Sequence, residues 1–331
     1  MKRMLYIELP QSGSDNNRRL PFYLAMEEYL AREVVAHFEV PLFFMWQVNP
    51  TVIIGRNQVA ENEVNLAYCR EQGIEVYRRK SGGGCVYADQ KNIMMSYVAA
   101  HEGNVSETFE QYTCSIAKML RGLGLDATAS TRNDVLISGS KVSGNAYYHL
   151  PQSSIVHGTM LYDADLEVMS KAITPSKQKL HSKGVESVRS RVTMLSKHLT
   201  INIEDFKAYA RHSLCNDSLV LTADAVTTIE ELEKHYYADE WIYRAKKPSK
   251  SSRAQRFEGV GEVQADVKTD DAGRITDVDF TGDFFFDEEL LTDRLRGVNY
   301  NPEDVVKAIE GFSAGNVISG MTNEQLMELL F

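Results

Sequence analysis

Four cysteines in 331 residues (Cys69, Cys85, Cys114 and Cys215) stand apart, with no C-x-x-C pair among them. That spacing signals neither a zinc site nor a disulfide framework, and it suits a reducing compartment. A surplus of positive charge is also missing: 36 Lys and Arg face 46 Asp and Glu, a formal net charge of −10. Nonspecific nucleic-acid binding needs the opposite sign and is excluded, although a local basic patch is not. No apolar run approaches the roughly 20 residues that cross a bilayer. Met1-Lys2-Arg3 leads into only a short apolar run, so no signal peptide is expected and the chain reads as soluble and cytoplasmic. The phosphate loop G-x-x-x-x-G-K-[ST] is absent. Gly122-Leu123-Gly124-Leu125-Asp126-Ala127 formally spells the dinucleotide fingerprint, but it closes a helix instead of opening one after a strand, and we reject it. Any nucleotide site must be of another kind.

What is present is a hydrophobic fraction of 43%, ample for a large core and, at this length, for two domains. The densest punctuation is Arg78-Arg79-Lys80-Ser81-Gly82-Gly83-Gly84-Cys85-Val86-Tyr87-Ala88-Asp89, set between the strand-like runs Glu75-Val76-Tyr77 and Asn92–Val98. A triple glycine lets backbone N–H groups approach a ligand, and two arginines bring cationic forks to the same place. Two readings fit: a cradle for phosphate or carboxylate, or a plain hairpin with a basic edge.

Elsewhere Met4–Leu9, Leu42–Trp46 and Thr51–Ile54 read as strands, the last ending in Gly55-Arg56-Asn57-Gln58. Tyr23, Met26, Leu30, Val34 and Phe38 recur at helical spacing after Pro21, which predicts an amphipathic helix with Glu27, Glu28 and Arg32 toward water. Glu61–Gln72, a run through Leu120 and Asp165–Ile173 (capped by Asp163 or Asp165) also read as helices. Two more follow at Ile203–Asn216 and from Val226 to about Ala238. Asp134 opens a β-prone run, and Lys141 lies among glycines and small polar residues that leave its ammonium able to reach a bound group. Ser154–Tyr162 is a further strand, and Ser176–Leu195 is locally basic. Residues 247–253 form the one polar linker, dividing residues 1–246 from 254–331. Past it, Gly261–Thr269 and Arg274–Gly282 flank a turn, and three helical patterns complete a small ββααα module without evident catalytic residues.

Taken in order, these segments resemble the lipoate–protein ligase A family. Residues 78–87 are similar to its R-R-x-S-G-G-G-A-V-[FY] signature. Gly55–Gln58, Asn133-Asp134 with Lys141–Ala146, His157–Leu161 and the run Lys183–Val192 match further segments of the family. The motifs cover about residues 20–195, and the module past the linker is similar to the accessory domain of the large bacterial ligases. The resemblance implies a mixed α/β (α+β) catalytic domain of the biotin/lipoate ligase fold at 1–246, a linker at 247–253 and an accessory domain at 254–331. It implies activation of lipoate with ATP and Mg²⁺ to lipoyl-adenylate. The lipoyl group would then pass to a lysine of 2-oxoacid dehydrogenase lipoyl domains or of the glycine-cleavage carrier protein. The resemblance assigns ATP to Arg79, Gly82, Gly83, Gly84, Cys85, Val86, Tyr87 and Lys141. It assigns lipoate to Lys141, Trp46, His157, Thr159 and Ser81, and Mg²⁺ to Asp134; Lys141 is the expected catalytic residue.

The chemistry of the residues agrees with these roles. A carboxylate attacking an α-phosphate needs both negative charges neutralised by fixed donors, which the glycine N–H groups, the Arg79 fork and the Lys141 point charge can supply. Three departures stand out: Cys85 for a small alanine, Ala88 for the family's usual histidine, and Gln90-Lys91 for its Leu-Gly. Cys85 reads either as a small filler or as a thioester nucleophile activated by nearby arginines. The second option keeps an ATP-independent octanoyl or lipoyl transferase open beside the ligase, and a noncatalytic lipoate-binding protein is the third reading.

Overall fold

A computed structural model of the protein describes residues 3–10, 18–100, 105–130, 133–173, 192–244, 252–285, 288–316 and 318–331. Residues 176–191 of the basic run Ser176–Leu195 and residues 247–251 of the linker at 247–253 lie outside the described residues. Two compact units emerge. The first comprises Met1–Ile53, Val64–Arg78 and Val86–Ile242; the second comprises Ile54–Glu63, Arg79–Cys85 and Tyr243–Phe331.

The first unit is built on a mixed eight-stranded sheet. Its strands are β1 (Met4–Glu8), β2 (Leu42–Trp46), β6 (Asn92–Ala100), β7 (Ala127–Ala129), β8 (Asp134–Ile137), β9 (Ser140–Leu150), β10 (Ser153–Leu161) and β11 (Cys215–Val220), in the order β11-β1-β2-β6-β10-β9-β8-β7. β11, β1 and β2 run parallel, and the rest pair antiparallel. Alternation along the central strands sends side chains to two separate cores. Phe44, Trp46, Met94, Val98 and Ile155 pack on one face with helices α1 (Leu20–Tyr29) and α7 (Ala223–Glu233). Phe43, Met95, Tyr97, Val156 and Met160 pack on the other with α4 (Val105–Arg121) and α6 (Ile203–Leu214).

A second sheet, ordered β4-β3-β5, is formed by β3 (Thr51–Ile54), β4 (Glu75–Arg78) and β5 (Val86–Ala88). The strands before and after the glycine stretch therefore do not pair with each other. They lie on either side of β3, so the stretch is a crossover loop and the hairpin reading does not hold.

Other sequence expectations are corrected by packing. Glu27 and Glu28 do not face water: they are 0% and 4% exposed. From Leu20 to Glu28 every residue of α1 is buried, and both carboxylates are held by hydrogen bonds that offset the burial. Only Arg32 reaches solvent, and it pairs back to Glu28 at 2.7 Å. Beyond Tyr29 the helix loosens into a π turn (Leu30–Val34) and a 3-10 turn (Val35–His37). The helix read over Glu61–Gln72 is two, α2 (Ala60–Glu63) and α3 (Leu66–Glu71), because Val64 bridges Ile173 and Asn65 caps the second at Tyr68 N. α5 (Leu166–Ala172) is capped by Asp165. α6 stops at Leu214, and polar Cys215–Val220 becomes an edge strand because β1 offers it a parallel ladder.

α8 (Asp239–Ile242) closes the first unit. Arg78, 0% exposed, donates from Nε to the carbonyls of Trp241 and Ile242, and Trp241 Nε1 donates back to Arg78 O. The first of the paired arginines is thus a structural tie. In the second unit, β12 (Arg253–Phe257), β13 (Gly261–Thr269) and β14 (Ile275–Gly282) form an antiparallel sheet under α9 (Glu288–Leu295), α10 (Pro302–Ala308) and α11 (Asn323–Leu330). One more strand than expected precedes the hairpin. Phe257, Val263, Phe280, Phe284, Leu291 and Leu326 fill its core.

Candidate functional site

Residues directly opposite each other across antiparallel strands share a face. One such row in the first unit runs Trp46, Met94, Thr159, Gly144 and Asp134, across β2, β6, β10, β9 and β8. The neighbouring row carries Phe44, Ser96, His157 and Ala146. The expected lipoate contacts Trp46, His157 and Thr159 thus lie on the same face as the expected metal ligand Asp134. With strands about 4.8 Å apart, the row spans about 14 Å from Trp46 to Gly144.

Lys141 joins this face through a bulge. Val135 pairs with Ser143 but Leu136 pairs with Lys141, which leaves Val142 as an extra residue. Val142 enters the opposite core, 0% exposed, and Lys141 turns to the side of Asp134 and Gly144. Its Nζ lies 2.7 Å from Asp134 Oδ1. A Cβ on Gly144 would stand 2.5 Å from that Nζ and 2.7 Å from Cε, so the glycine is what lets the lysine lie across the row. The Lys141 carbonyl accepts Thr193 N at 2.7 Å, beside a bridge to Val192.

At the other end, a chain of hydrogen bonds links the side chains. Trp46 Nε1 donates to Ser96 Oγ at 2.8 Å, and Ser96 Oγ donates to Glu27 Oε1 at 2.5 Å. His157 Nδ1 lies 2.8 Å from Glu27 Oε2. Tyr23 stacks on Trp46 with ring centres 4.7 Å apart and 14° between planes. Behind Glu27, Tyr236 Oη donates to Glu28 Oε2 at 3.2 Å. Burial, and then the Glu27 charge, push the Tyr148 hydroxyl well above its ordinary pKa.

Tyr87 on β5 is buried, and burial, followed by the Asp89 charge, raises its hydroxyl pKa. Burial likewise holds the Asp89 carboxyl above the usual carboxylate range, against the lowering pull of its hydrogen bond from Lys91 N. Asn92 opens β6 two residues before Met94, on the same face. It is 0% exposed, and neither its amide nitrogen nor its amide oxygen has a partner. An unsatisfied buried amide costs about 1–3 kcal/mol per group, so this position has capacity for a polar ligand group. Sequence reasoning missed Glu27, Ser96 and Asn92. The one available signal was Asn92, a polar residue opening an apolar run.

The metal assignment can be weighed on Asp134. Its Oδ1 is out of solvent and makes no directed hydrogen bond besides the lysine contact. Among the described residues no three His, Cys, Asp or Glu side chains gather as a metal cluster. Mg²⁺ asks for one or two carboxylates and completes its shell with water and phosphate oxygens, so a single carboxylate fits it.

The glycine stretch and the Gly55–Gln58 loop belong to the second unit. Arg79, 5% exposed, spends its donors on its own loop: Nε to Ser81 Oγ at 2.9 Å, and Nη2 to Gly82 O at 2.7 Å and Gly84 O at 2.8 Å. Ser81 is fully buried in this contact, whereas Cys85 is half-buried and no neighbour crowds Gly84. Gly83 has φ +85°, and its N–H donates to Phe284 O at 3.1 Å. Gly55 packs so closely that a Cβ there would lie 2.0 Å from Gly83 O. Arg56 N donates to Ser81 O and Gln58 Oε1 accepts Gly55 N, so the two loops brace each other.

Comparison with known proteins agrees over nearly the whole chain. Residues 20–214 match the family described as "Lipoyl protein ligase A/B catalytic domain", and residues 249–330 match "Bacterial lipoate protein ligase C-terminus". A protein named lipoate-protein ligase LplJ from Bacillus subtilis is 30% identical, covering 93% of this chain and 96% of its own length. Lipoate–protein ligase 1 of Staphylococcus aureus is 31% identical over 96% and 98%. Among solved structures, P. falciparum LipL1 in complex with lipoate shares the fold at a TM-score of 0.76, with 20% identity and 98% and 97% coverage. A bi-partite lipoate protein ligase from Thermoplasma acidophilum, described with its E2 lipoyl domain, aligns at 0.63 with 25% identity, covering 76% of this chain and all of that one.

Proposed function

This chain belongs to the lipoate–protein ligase family of enzymes, and from that premise we propose that it activates lipoate with ATP and transfers the lipoyl group to a lysine of an acceptor lipoyl domain. The observation that carries this reading is the cross-strand row ending in Lys141 and Asp134. It offers an apolar bed, from Trp46 to Thr159, for an acyl chain, with a cation and a carboxylate at the far end. A medium-chain acid laid across the strands brings its carboxylate to Lys141.

In the first step a lipoate oxygen attacks the α-phosphorus of ATP, an O–P bond forms, and the bond to the leaving pyrophosphate breaks. Lys141 lowers the repulsion between the two anions as they approach. The backbone of Gly82, Gly83, Gly84, Cys85, Val86 and Tyr87 lines the nucleotide, with the Gly83 N–H given to Phe284 O, and Arg79 holds that loop in shape. The Ser81 hydroxyl accepts from Arg79 Nε, and Asn92 supplies an amide to a polar group of the ligands. Asp134 is the carboxylate for Mg²⁺, which when bound neutralises phosphate charge. In the second step the acceptor lysine amine attacks the acyl carbon, AMP leaves, and the new amide sheds a proton. No enzyme nucleophile is required. We retain residues 1–246 as the catalytic domain, 247–253 as the linker and 254–331 as the accessory domain. The acceptors are lipoyl domains of 2-oxoacid dehydrogenases or the glycine-cleavage carrier protein, and the site of action is the cytoplasm. Among the described residues no helix is long and apolar enough to cross a membrane.

The test is intact mass of an isolated lipoyl domain after incubation with the protein, lipoate, ATP and Mg²⁺. A gain of one lipoyl group that requires both lipoate and ATP is expected. Unmodified domain in the presence of folded protein contradicts the reading, and modification without ATP points to the transferase alternative.

A further inference from the structure

Glu27 lies 130 positions from His157 in sequence and is fully buried, yet each of its carboxylate oxygens takes a separate hydrogen bond from the face just described. One serves His157 Nδ1; the other serves Ser96 Oγ, which in turn accepts the Trp46 indole N–H. Two of the three protons on this path have a fixed direction, Trp46 to Ser96 and Ser96 to Glu27; the third contact, between His157 Nδ1 and Glu27 Oε2, takes its direction from the histidine tautomer. We propose that Glu27 is a positioning residue whose carboxylate holds His157 in its Nδ1–H tautomer and, through Ser96, locks the Trp46 indole, so that both walls of the acyl pocket are set before substrate arrives. The inference rests on the lipoate-pocket reading for its kinetic consequence but not for its structural one.

The geometry gives the proposal its force. A carboxylate oxygen without hydrogen can only accept, so in the proposed arrangement the histidine nitrogen facing it carries the hydrogen of the contact. Because the carboxylate takes the one Ser96 hydrogen, Ser96 can only accept from the indole, whose plane is also stacked against Tyr23. Arg32, Glu28 and Tyr236 stand behind, with Glu28 bonded to both of the others. Tyr148 packs its ring 6.3 Å from that of His157. Burying a carboxylate is costly unless it is fully hydrogen-bonded, and here both of its oxygens serve residues on one face of the sheet.

Glu27→Gln supplies the test because it keeps shape and removes one acceptor. With the amide oxygen held by Ser96, the amide NH₂ meets His157 Nδ1 and forces the proton to Nε2. Two readouts are taken: ¹⁵N resonances of the labelled histidine ring, with His157 identified by its loss in His157→Asn, and steady-state kinetics for lipoate and ATP. Wild type is expected to show the Nδ1–H pattern without substrate. E27Q is expected to show the Nε2–H pattern, with KM for lipoate raised roughly tenfold or more and KM for ATP changed less than about twofold. Retention of the Nδ1–H pattern in E27Q overturns the proposal, and so does a swapped tautomer with unchanged lipoate KM. Should E27Q fail to fold, Ser96→Ala cuts the other branch. It must keep the His157 tautomer while shifting the Trp46 indole N–H resonance, one of only two in the chain, and an unshifted indole overturns the lock. The tautomer readout needs no substrate, so failure of the wild-type protein to ligate lipoate sinks the functional reading and leaves this one to its own result.

Discussion

Lys141 illustrates how much a single side chain owes to its surroundings. Its ammonium reaches Asp134 only because position 144 has no Cβ. Lys141→Ala removes a charge without removing core, so lipoate-dependent pyrophosphate exchange should fall by at least about 10²-fold while the thermal midpoint stays near wild type. A midpoint far below wild type would contradict that separation of roles. Gly144→Ala should act through the same lysine: a methyl in its path displaces the ammonium by an ångström or so, which is worth about 10²-fold in rate, again with the fold retained. Unchanged exchange in that variant would show that the observed lysine pose is not the working one. Titration provides a further check. Burial pushes the Cys215 thiol and the Tyr97 hydroxyl each up to about 12. Both groups are neutral when protonated and their folded values lie above the unfolded ones of about 8.5 and about 10. Their stabilising contribution is therefore complete below those unfolded values and is lost as pH climbs toward about 12. Melting curves should fall progressively above about pH 9, and a flat profile to pH 11 would contradict the burial of these groups.

The elements show which parts of this protein could be read from sequence and which could not. Central strands β2, β6 and β10 announce themselves as apolar runs, and the glycine stretch is conspicuous by composition. What the glycines connect was not legible: strand pairing across β3 is a non-local choice, so adjacency along the chain suggested a hairpin. Helical periodicity presumes one wet face and so places Glu27 in solvent, but α1 has no wet face over its first nine residues. Lys141 and Asp134 were recognisable as chemistry, but strict alternation would send Lys141 to the core side; the extra residue Val142 reverses it. Strand β11 was hidden because its polar residues lack β propensity and the ladder of β1 supplies the ordering. The braced loops permit a paired prediction. Gly55→Ala drives a Cβ against the Gly83 carbonyl and should destabilise by about 1–3 kcal/mol, read as a lowered melting midpoint. Gly84→Ala, with open space around it, should melt like wild type. Equal midpoints for the two would contradict the bracing.

For the whole molecule, the large sheet divides its labour. One face, under α4 and α6, is apolar support; the other, under α1 and α7, carries Trp46, Ser96, His157, Thr159, Lys141 and Asp134 on neighbouring strands, and Glu27 reaches it from α1. Family similarity runs through both units, from residue 20 to residue 330 with one gap. The central claim is that this face activates a carboxylate with ATP. Lipoate-dependent exchange of labelled pyrophosphate into ATP measures that step alone, without an acceptor protein. The account predicts exchange by the wild-type protein that requires lipoate and disappears in Lys141→Ala; no exchange by folded wild-type protein, or equal exchange by the variant, would contradict it.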